Sequence, residues 1–526
     1  MKKIKYVLLA MFAFGQVSFG DAPLAPEAYR RPENFAKTKH AESLAELSKK
    51  YSAKLEAMAK SAMKKMDLAN KNGKYKPSVE SLAGHRAPEW FLDAKFGLFI
   101  DWGVYSVAGY APKLEKGAMY PDWYLGRMYG DPKFREYHAK NWGSDFFRDD
   151  FIQLFTAEKF DALQFAELAK KVGAKYVVPF GKHHCGYALW KSSYTKRNSV
   201  DMPPHRNLAS EIASACRSKG LKFGMYFSID EWEYPILKDD GSLGLYRWAF
   251  NDGGKLVGLE NEISGKIAVK DFIGGYILPQ AQEMIEMLSP DILWLDGEWD
   301  AHASSYRSFE LAAYYYNIND GKKEVAVNDR YGVRPEGGTY RAVLGDFFTS
   351  EYGENQHKFS MENYHPWEAC RGISQSFGFN WQDDGSNTVS SADLVWMLSD
   401  IVARGGNLLL LVNLDGKGAL AQVQKDRLCA LGGWLEKNGD AIYATRPLPP
   451  YVQDGMAFTQ SKDLKRKFVV LKDAKNAENA LEKLSLQYKS AKSLKSGKKA
   501  HLLDIAAMQK LLAENDGLPV ALELFN

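Results

Sequence analysis

The chain has 526 residues, of which 45% are apolar and 25% are charged, so it can bury the core of a large domain. Its 69 basic and 65 acidic residues leave a formal charge of only +4. This balance argues against a nucleic-acid partner. We expect one large domain with accessory segments.

The first 20 residues predict a secretory signal peptide. They combine a basic start, MKKIKY, an apolar stretch, VLLAMFAF, and small residues before Asp21. The apolar stretch is too short to span a bilayer, and no other stretch is long enough. The alternative is a buried N-terminal helix or strand. The pattern favours an exported protein, periplasmic or secreted, without a membrane span.

Residues 21–77 form a predicted N-terminal helical segment. From Asn34 to Lys76 apolar residues recur at intervals of three and four among many Ala, Lys and Glu residues. This period predicts an amphipathic helix or a pair of helices. A basic amphipathic helix can lie on a membrane, but we expect this one to pack against the main domain.

Apolar runs alternate with helical patterns over residues 78–446. The runs are FGLFI, KYVVPFG, KFGMYFS, DILWL, EVAVN, GDFFT, GISQSFGFN and NLLLLVN. Strands without polar alternation, separated by helices, are typical of a parallel sheet covered on both faces. Eight of them predict a (β/α)8, TIM-like barrel better than an open doubly wound sheet. No G-x-G-x-x-G motif follows the first run, so a dinucleotide site is not indicated.

The four cysteines are widely scattered. We predict free thiols rather than a disulfide framework, although an exported protein could pair two of them. They are Cys185, Cys216, Cys370 and Cys429.

Acidic, imidazole and aromatic side chains follow nearly every apolar run. In a TIM barrel the ends of all strands gather on the C-terminal face, where active sites lie. The sequence therefore predicts one site built from these residues. They are Asp101, His183, His184, Glu231, Asp296, Asp329, Arg330, Glu351, Trp381 and Asn413.

The residue types at this face favour carboxylate chemistry. The paired histidines of KHHCGY lack a second ligand pair at helical spacing, so we predict no metal and no other cofactor. The chain also lacks a glycine-rich phosphate loop and a G-x-S-x-G nucleophile elbow. Two carboxylates beside Trp and Tyr are typical of a glycosidase.

Several segments resemble the retaining α-L-fucosidases of glycoside hydrolase family 29. They are EWFLDAKFGLFIDWGVYS, GAKYVVPFGKHHCGYALW, SPDILWLDGEWD, VNDRYG, NLLLLVN and WLEKNGDAIYAT. The resemblance implies an exo-acting enzyme that removes terminal α-L-fucose from glycans or polysaccharides through a covalent fucosyl-enzyme. It also implies a small C-terminal β-sandwich domain, residues 447–526, in which MAFTQ, KFVVLKD and LPVALELF are candidate strands.

The resemblance also implies roles for individual residues. Asp296 in LWLDGEW matches the nucleophile, and Glu351 in FFTSEYG matches the acid/base. For the acid/base, Glu298, Glu231 and Glu368 remain alternatives. The residues implied to bind the sugar are Asp101, Asp122, Trp123, His183, His184 and Arg330, with an apolar pocket of Phe99, Tyr226, Trp294 and Phe377 for the methyl group of fucose.

The sequence departs from the family at three positions. Asp101 stands where the family usually has His, Cys185 where it has Asp, and Asp122 where it has Glu. An ionised carboxylate only accepts hydrogen bonds, whereas an imidazole can also donate. Asp101 either binds plain fucose or indicates a modified, for example sulfated, sugar. A non-catalytic carbohydrate-binding barrel is a further alternative, against which the presence of both Asp296 and Glu351 argues.

Overall fold

The computed structural model describes residues 22–37, 42–114, 117–246, 263–297, 302–330, 345–352, 364–473, 477–513 and 517–526. The predicted signal peptide and the alternative acid Glu298 lie outside these ranges.

The main domain is built on eight parallel strands. They are β1 (Phe96–Asp101), β2 (Tyr176–Lys182), β3 (Lys222–Ser228), β4 (Ile292–Asp296), β5 (Ala326–Val327), β6 (Phe348–Glu351), β7 (Trp367–Gly372) and β8 (Gly406–Asn413). Their order in the sheet is β5–β4–β3–β2–β1–β8–β7–β6. A parallel bridge between Asn328 and Phe347 joins β5 to β6 and closes the ring. The predicted TIM-like barrel is confirmed.

The seventh predicted strand is wrong in its position. The strand is WEACRG, Trp367–Gly372, and it lies upstream of the predicted run GISQSFGFN. The polar residues Glu368 and Arg371 interrupt its apolar pattern, although Glu368 is fully buried inside the barrel. Trp381 is therefore not at a strand end. Its backbone N–H donates to the Gly109 carbonyl in a loop.

Helices precede or follow the strands as the sequence pattern predicts. They are α1 (Leu44–Asn72), α2 (Val79–Leu82), α3 (Glu89–Ala94), α4 (Tyr124–Gly130), α5 (Pro132–Asn141), α6 (Ala162–Lys171), α7 (Leu208–Ser218), α8 (Leu278–Leu288), α9 (Ala303–Tyr306), α10 (Ser308–Asn319), α11 (Ser391–Ala403) and α12 (Gln422–Asn438). A small antiparallel hairpin, Pro235–Leu237 with Leu243–Leu245, follows β3.

The N-terminal helix α1 packs along the outside of the barrel against α8 and α10. Ser43 begins it with a capping box to Glu46, which satisfies free backbone N–H groups at the helix start. Its buried face includes Leu55 and Met66, and Ser52 Oγ donates a 2.6 Å hydrogen bond to the Ala268 carbonyl. The prediction that this helix packs on the main domain is confirmed.

The packing of the apolar face of α1 predicts how substitutions on this helix change the free energy of unfolding. We expect Leu55→Ala to lower the free energy of unfolding by about 2–5 kcal/mol, because Leu55 is 2% exposed and its removal leaves a cavity. The matched control is Leu68→Ala on the same helix, where the side chain is 56% exposed and the expected loss is below about 0.5 kcal/mol. Denaturant unfolding of both variants measures the difference. Equal losses would contradict the packing of this face.

The C-terminal region forms one antiparallel sheet. Its strands are β9 (Thr445–Gln453), β10 (Met456–Ser461), β11 (Lys467–Leu471), β12 (Ser490–Ser493), β13 (Lys499–His501) and β14 (Val520–Phe525), in the order β9–β10–β11–β14–β12–β13. Alternate residues face opposite sides: Phe468 and Val470 join the core of the barrel, whereas Val469 and Leu471 pack beneath α13 (Glu478–Ser485) and α14 (Ile505–Leu512). The predicted C-terminal β domain is confirmed as an antiparallel sheet, but within the described residues two helices, rather than the second sheet of a sandwich, form its outer layer.

The four cysteines are free thiols, as predicted, and Cys429 alone among them is exposed. Within the described ranges, every helix is too short or too polar to cross a membrane.

Candidate active site

The predicted site residues meet at the C-terminal mouth of the barrel. Asp101, Asp296 and Glu351 are the last residues of β1, β4 and β6. His183 follows β2 directly, and Arg330 follows β5. Parallel strands bring these positions, which are far apart in sequence, into one ring.

Asp296 is held by three side chains, one on β3 and two in the segments that follow β2 and β5. Tyr226 donates a 2.7 Å hydrogen bond from its hydroxyl to Asp296 Oδ2, and Arg330 Nη1 donates to Oδ1 at 3.1 Å. His184 Nε2 lies 3.6 Å from Oδ2. The next residue, Gly297, has φ +97° and would place a Cβ 2.8 Å from Asp230 Cβ, so only glycine fits there without strain. The carboxylate is therefore fixed in one orientation.

One guanidinium binds both catalytic candidates. Arg330 donates from Nη1 to Asp296 and from Nη2 to Glu351 Oε1. Arg330 Nε donates to Thr349 Oγ1 at 2.8 Å, and the guanidinium carbon lies 5.4 Å from the centre of the Trp294 ring. Since a planar guanidinium has rigid donors, it sets the position of one carboxylate relative to the other.

The two carboxylates differ in their access to solvent. The Glu351 side chain is 20% exposed and the Asp296 side chain 12%. Glu351 Oε2 also accepts a 3.3 Å hydrogen bond from Tyr120, whose ring lies 5.9 Å from that of Phe377. Glu351 thus lies nearer to the mouth, and Asp296 lies deeper.

The paired histidines and Trp123 form a second side of the site. The rings of His183 and His184 lie 4.2 Å apart, and His184 Nδ1 is 2.6 Å from Ser228 Oγ. His183 Nε2 lies 3.4 Å from Asp122 Oδ2, and the Trp123 ring lies 5.4 Å from that of His184. These side chains offer donors and acceptors of the kind that sugar hydroxyls need.

Asp101 and Asp122 are buried carboxyl groups. Burial and the neighbouring Asp122 raise the pKa of Asp101, against the effects of His183 and of the Tyr105 hydroxyl, which donates to Asp101 Oδ1. Burial also raises the pKa of Asp122, although Arg127 opposes it. Both groups therefore favour the protonated state at a higher pH than an exposed aspartate does.

The predicted apolar pocket is a packed cluster of rings. The Phe99 ring lies 5.0 Å from Trp294, 6.0 Å from Tyr226 and 6.4 Å from Phe377. Phe99 has no exposed surface and packs against the other three rings. The four predicted residues are thus brought together beside Asp296.

Comparison with known proteins identifies the family. A family model described as alpha-L-fucosidase matches residues 62–440. The chain belongs to the α-L-fucosidase family. It is 33% identical to an alpha-L-fucosidase of Branchiostoma floridae over 381 residues, which are 71% of this chain and 76% of that protein.

Relatives from other organisms agree with this membership. The tissue alpha-L-fucosidase of Bos taurus is 31% identical over 400 residues, covering 74% of this chain and 76% of its own. The crystal structure of Thermotoga maritima α-fucosidase in complex with fucose is 31% identical, with a TM-score of 0.64, and covers 86% of this chain and 100% of its own. This α-L-fucosidase family member is a glycoside hydrolase.

Glu231, an alternative acid/base, forms buried ion pairs with two lysines. Lys182 Nζ lies 3.1 Å and Lys266 Nζ 2.9 Å from its oxygens, and Tyr276 donates to it at 3.0 Å. Burial would raise the pKa of Glu231, but Lys266 and Lys182 hold it below the usual value. A carboxyl group that stays ionised and has no exposed surface is a poor proton donor.

Glu368, the other described alternative, lies inside the barrel. Tyr176 donates to Glu368 Oε2 at 2.5 Å, and Trp294 Nε1 donates to Oε1 at 3.0 Å. Both oxygens thus accept hydrogen bonds from residues of β2 and β4, which do not neighbour β7 in the sheet. Glu368 positions the indole that packs beneath Arg330, and it does not face the mouth.

Glu368 makes the stability of the α-L-fucosidase depend on pH. Burial raises its pKa to about 7 from an ordinary value of 4.5. The folded protein therefore binds more protons between these values, and the contribution to stability is lost as the pH rises through about 7. The shift corresponds to a decrease in the free energy of unfolding, between low and high pH, on the order of 3 kcal/mol.

We expect Glu368→Gln to reduce the fall in melting temperature between about pH 5.5 and pH 8, measured by differential scanning calorimetry. A matched control is Glu310→Gln on α10, because the Glu310 side chain is 27% exposed and pairs with Arg307 outside the barrel. An unchanged fall in the Glu368 variant would contradict this account.

Three residues that contact the site residues were not predicted from the sequence. Tyr105 binds Asp101, Tyr120 binds Glu351, and the Trp232 ring lies 5.4 Å from that of Trp123. The available signal was proximity in sequence: Tyr105 lies four residues after Asp101, and Tyr120 two before Asp122. Within the described residues, no group of three or more His, Cys, Asp or Glu side chains is arranged to hold a metal ion.

Proposed function

We propose that the protein is an exported, exo-acting, retaining α-L-fucosidase that removes terminal α-L-fucose from a glycan or polysaccharide. The observation that carries this proposal is the single Arg330 guanidinium bound to both Asp296 and Glu351. Retaining glycosidases need two carboxyl groups about 5–5.5 Å apart. A shared guanidinium favours such a short separation. Export rests on the predicted signal peptide.

Asp296 is the proposed nucleophile. Its carboxylate oxygen attacks the anomeric carbon while the glycosidic C–O bond breaks, and this forms a covalent fucosyl-enzyme. Hydrogen bonds from Tyr226 and Arg330 keep the carboxylate oriented for this attack. Its deeper position suits a group that approaches the sugar from the face opposite to the leaving group.

Glu351 is the proposed acid/base. It gives a proton to the departing glycosidic oxygen, then takes a proton from the water whose oxygen attacks the anomeric carbon and releases Asp296. Its position nearer to the mouth supports this role, because both the leaving group and the water enter from solvent. Tyr120 and Arg330 limit its motion.

The remaining predicted residues are proposed to bind the sugar. His183, His184, Trp123, Asp122 and Asp101 surround the space beside Asp296 and can meet ring hydroxyls. The rings of Tyr226, Trp294 and Phe377, supported by Phe99, can bury the methyl group of fucose. The crystal structure of the Thermotoga maritima relative in complex with fucose supports the same choice of sugar.

The test is hydrolysis of 4-nitrophenyl α-L-fucopyranoside beside a panel of other aryl glycosides, with proton NMR of the sugar first released. Preferential turnover of the fucoside, with the α-anomer formed first, is the expected result. The β-anomer formed first would contradict retention. Turnover of another glycoside instead would indicate a different sugar, and binding without turnover would indicate a non-catalytic barrel.

A further inference from the structure

Two carboxyl groups of the proposed sugar site lie on either side of one glycine. A Cβ at Gly378 would lie 3.1 Å from Asp101 Oδ2 and 3.2 Å from Asp122 Cβ. Gly378 has φ +98°, a conformation that suits glycine, and its missing side chain leaves room for both carboxyl groups. Asp101 and Asp122 therefore pack against the same glycine, and the charge of Asp122 acts on Asp101.

Each carboxyl group has one oxygen without a hydrogen-bond partner in the described parts of the chain. These atoms are Asp101 Oδ2 and Asp122 Oδ1, and both are buried. Asp101 is fully buried and Asp122 is 3% exposed. Buried polar atoms in folded proteins nearly always have a partner, so these oxygens point to a bound hydroxyl group, a proton or both.

The surroundings of Asp101 contain more acids than bases. Burial, Asp122 and Asp296 all raise its pKa, and His183 and the Tyr105 hydroxyl oppose them. The guanidinium of Arg330 is bound to Asp296 and Glu351. The groups that face Asp101 are Tyr105 from the loop after β1, Asp122, His183 from the loop after β2, Asp296 from β4 and Asn413, its register partner on β8.

We propose that Asp101 and Asp122 share one proton when the sugar is bound, and that the neutral carboxyl group donates a hydrogen bond to a sugar hydroxyl oxygen. This inference rests on the proposed function, because the ligand is the fucosyl group of the substrate. A protonated carboxyl group both donates and accepts, so Asp101 supplies what an imidazole would supply at the same position. The pair is thus a positioning and specificity-determining element of the sugar site.

The proposal makes sugar binding a proton-linked reaction. At pH values below the range in which the pair loses its proton, the sugar-free protein already holds the shared proton. The affinity for the sugar then does not depend on pH. Above that range, binding must take up a proton, and affinity falls by about tenfold for each pH unit. An amide at position 101 donates without a titrating proton, so Asp101→Asn removes the dependence.

The experiment is calorimetric titration with L-fucose from about pH 5 to pH 9, in buffers of different ionisation enthalpy. The wild type is expected to take up about one proton per sugar at the alkaline end, and this measurement needs no variant. Asp101→Asn is expected to bind with no proton uptake and constant affinity. Glu310→Gln is the control: it changes a carboxyl group on the outer helix α10, away from the site, and is expected to keep both the uptake and its pH dependence.

Constant affinity and no proton uptake in the wild type would overturn the proposal. The same uptake in Asp101→Asn as in the wild type would also overturn it, since the proton would belong to another group. Either result together with turnover of the aryl fucoside leaves the proposed function intact. Failure of the wild type both to bind L-fucose and to turn over the fucoside would remove the proposed function, and this inference with it.

Discussion

Asp296→Ala is expected to lower kcat for 4-nitrophenyl α-L-fucopyranoside by about four to six orders of magnitude, because the covalent intermediate cannot form. Added azide is expected to restore part of the turnover. The small anion fits the space left by the carboxylate and attacks the same face of the sugar. Since this is a single displacement, the product is β-L-fucosyl azide, which NMR identifies.

The control for this variant is Asp291→Ala, at the opposite end of β4. Asp291 Oδ2 accepts a 3.0 Å hydrogen bond from the Phe223 N–H, so its loss affects stability and leaves the mouth intact. We expect its kcat to stay within about threefold of wild type. A folded Asp296→Ala enzyme that keeps more than about one hundredth of the wild-type kcat would assign the nucleophile to another residue.

Glu351→Ala is expected to show an effect that depends on the leaving group. For methyl α-L-fucoside, whose alkoxide is a poor leaving group, kcat/KM should fall by about 10²–10⁴-fold, because no proton reaches the departing oxygen. For 2,4-dinitrophenyl α-L-fucoside, whose phenolate leaves without a proton, the fall should be below about tenfold. Steady-state kinetics with both substrates measures the ratio.

Azide separates the two variants by the product that it forms. In Glu351→Ala the fucosyl-enzyme still forms on Asp296, and azide then displaces the carboxylate to give the α-L-fucosyl azide. Glu368→Gln is a suitable control, because the structure places Glu368 inside the barrel, and it is expected to show no dependence on the leaving group. Equal losses for both fucosides in Glu351→Ala would assign the acid/base elsewhere.

The barrel was largely predictable because most of its strands are apolar on both faces. Every residue of β1, β2 and β8 is buried, and their sequences show the expected uninterrupted runs, apart from the polar residues at their ends. β7 was misplaced because its buried glutamate is stabilised by tertiary contacts. The partners of Glu368 lie 192 and 74 residues away in sequence, at Tyr176 and Trp294. A local pattern contains no information about such contacts.

In the site, too, some residues could be predicted from the sequence and others depend on tertiary contacts. Residues at strand ends, such as Asp296 and Glu351, were predictable because the topology of a parallel barrel gathers them on one face. Tyr120 and Trp232 lie in loops, and their contacts depend on the path of those loops. The proton state of Asp101 likewise depends on burial and on the nearby Asp122, which only the folded structure reveals.

A bridge between Asn328 and Phe347 joins β5 to β6 at a seam in the ring of strands. Arg330, which binds Glu351, lies at the same place. Beyond the bridge from Asn328 to Phe347, side chains cross this seam: Asp329 Oδ1 accepts from Thr349 N–H at 3.0 Å, and Arg330 binds Thr349 Oγ1. Transient opening of the seam would therefore separate Glu351, the proposed acid/base, from Asp296, the proposed nucleophile. The Thr349 amide should exchange its hydrogen for solvent deuterium only during such openings, so its exchange rate measures how often the enzyme passes through an inactive geometry.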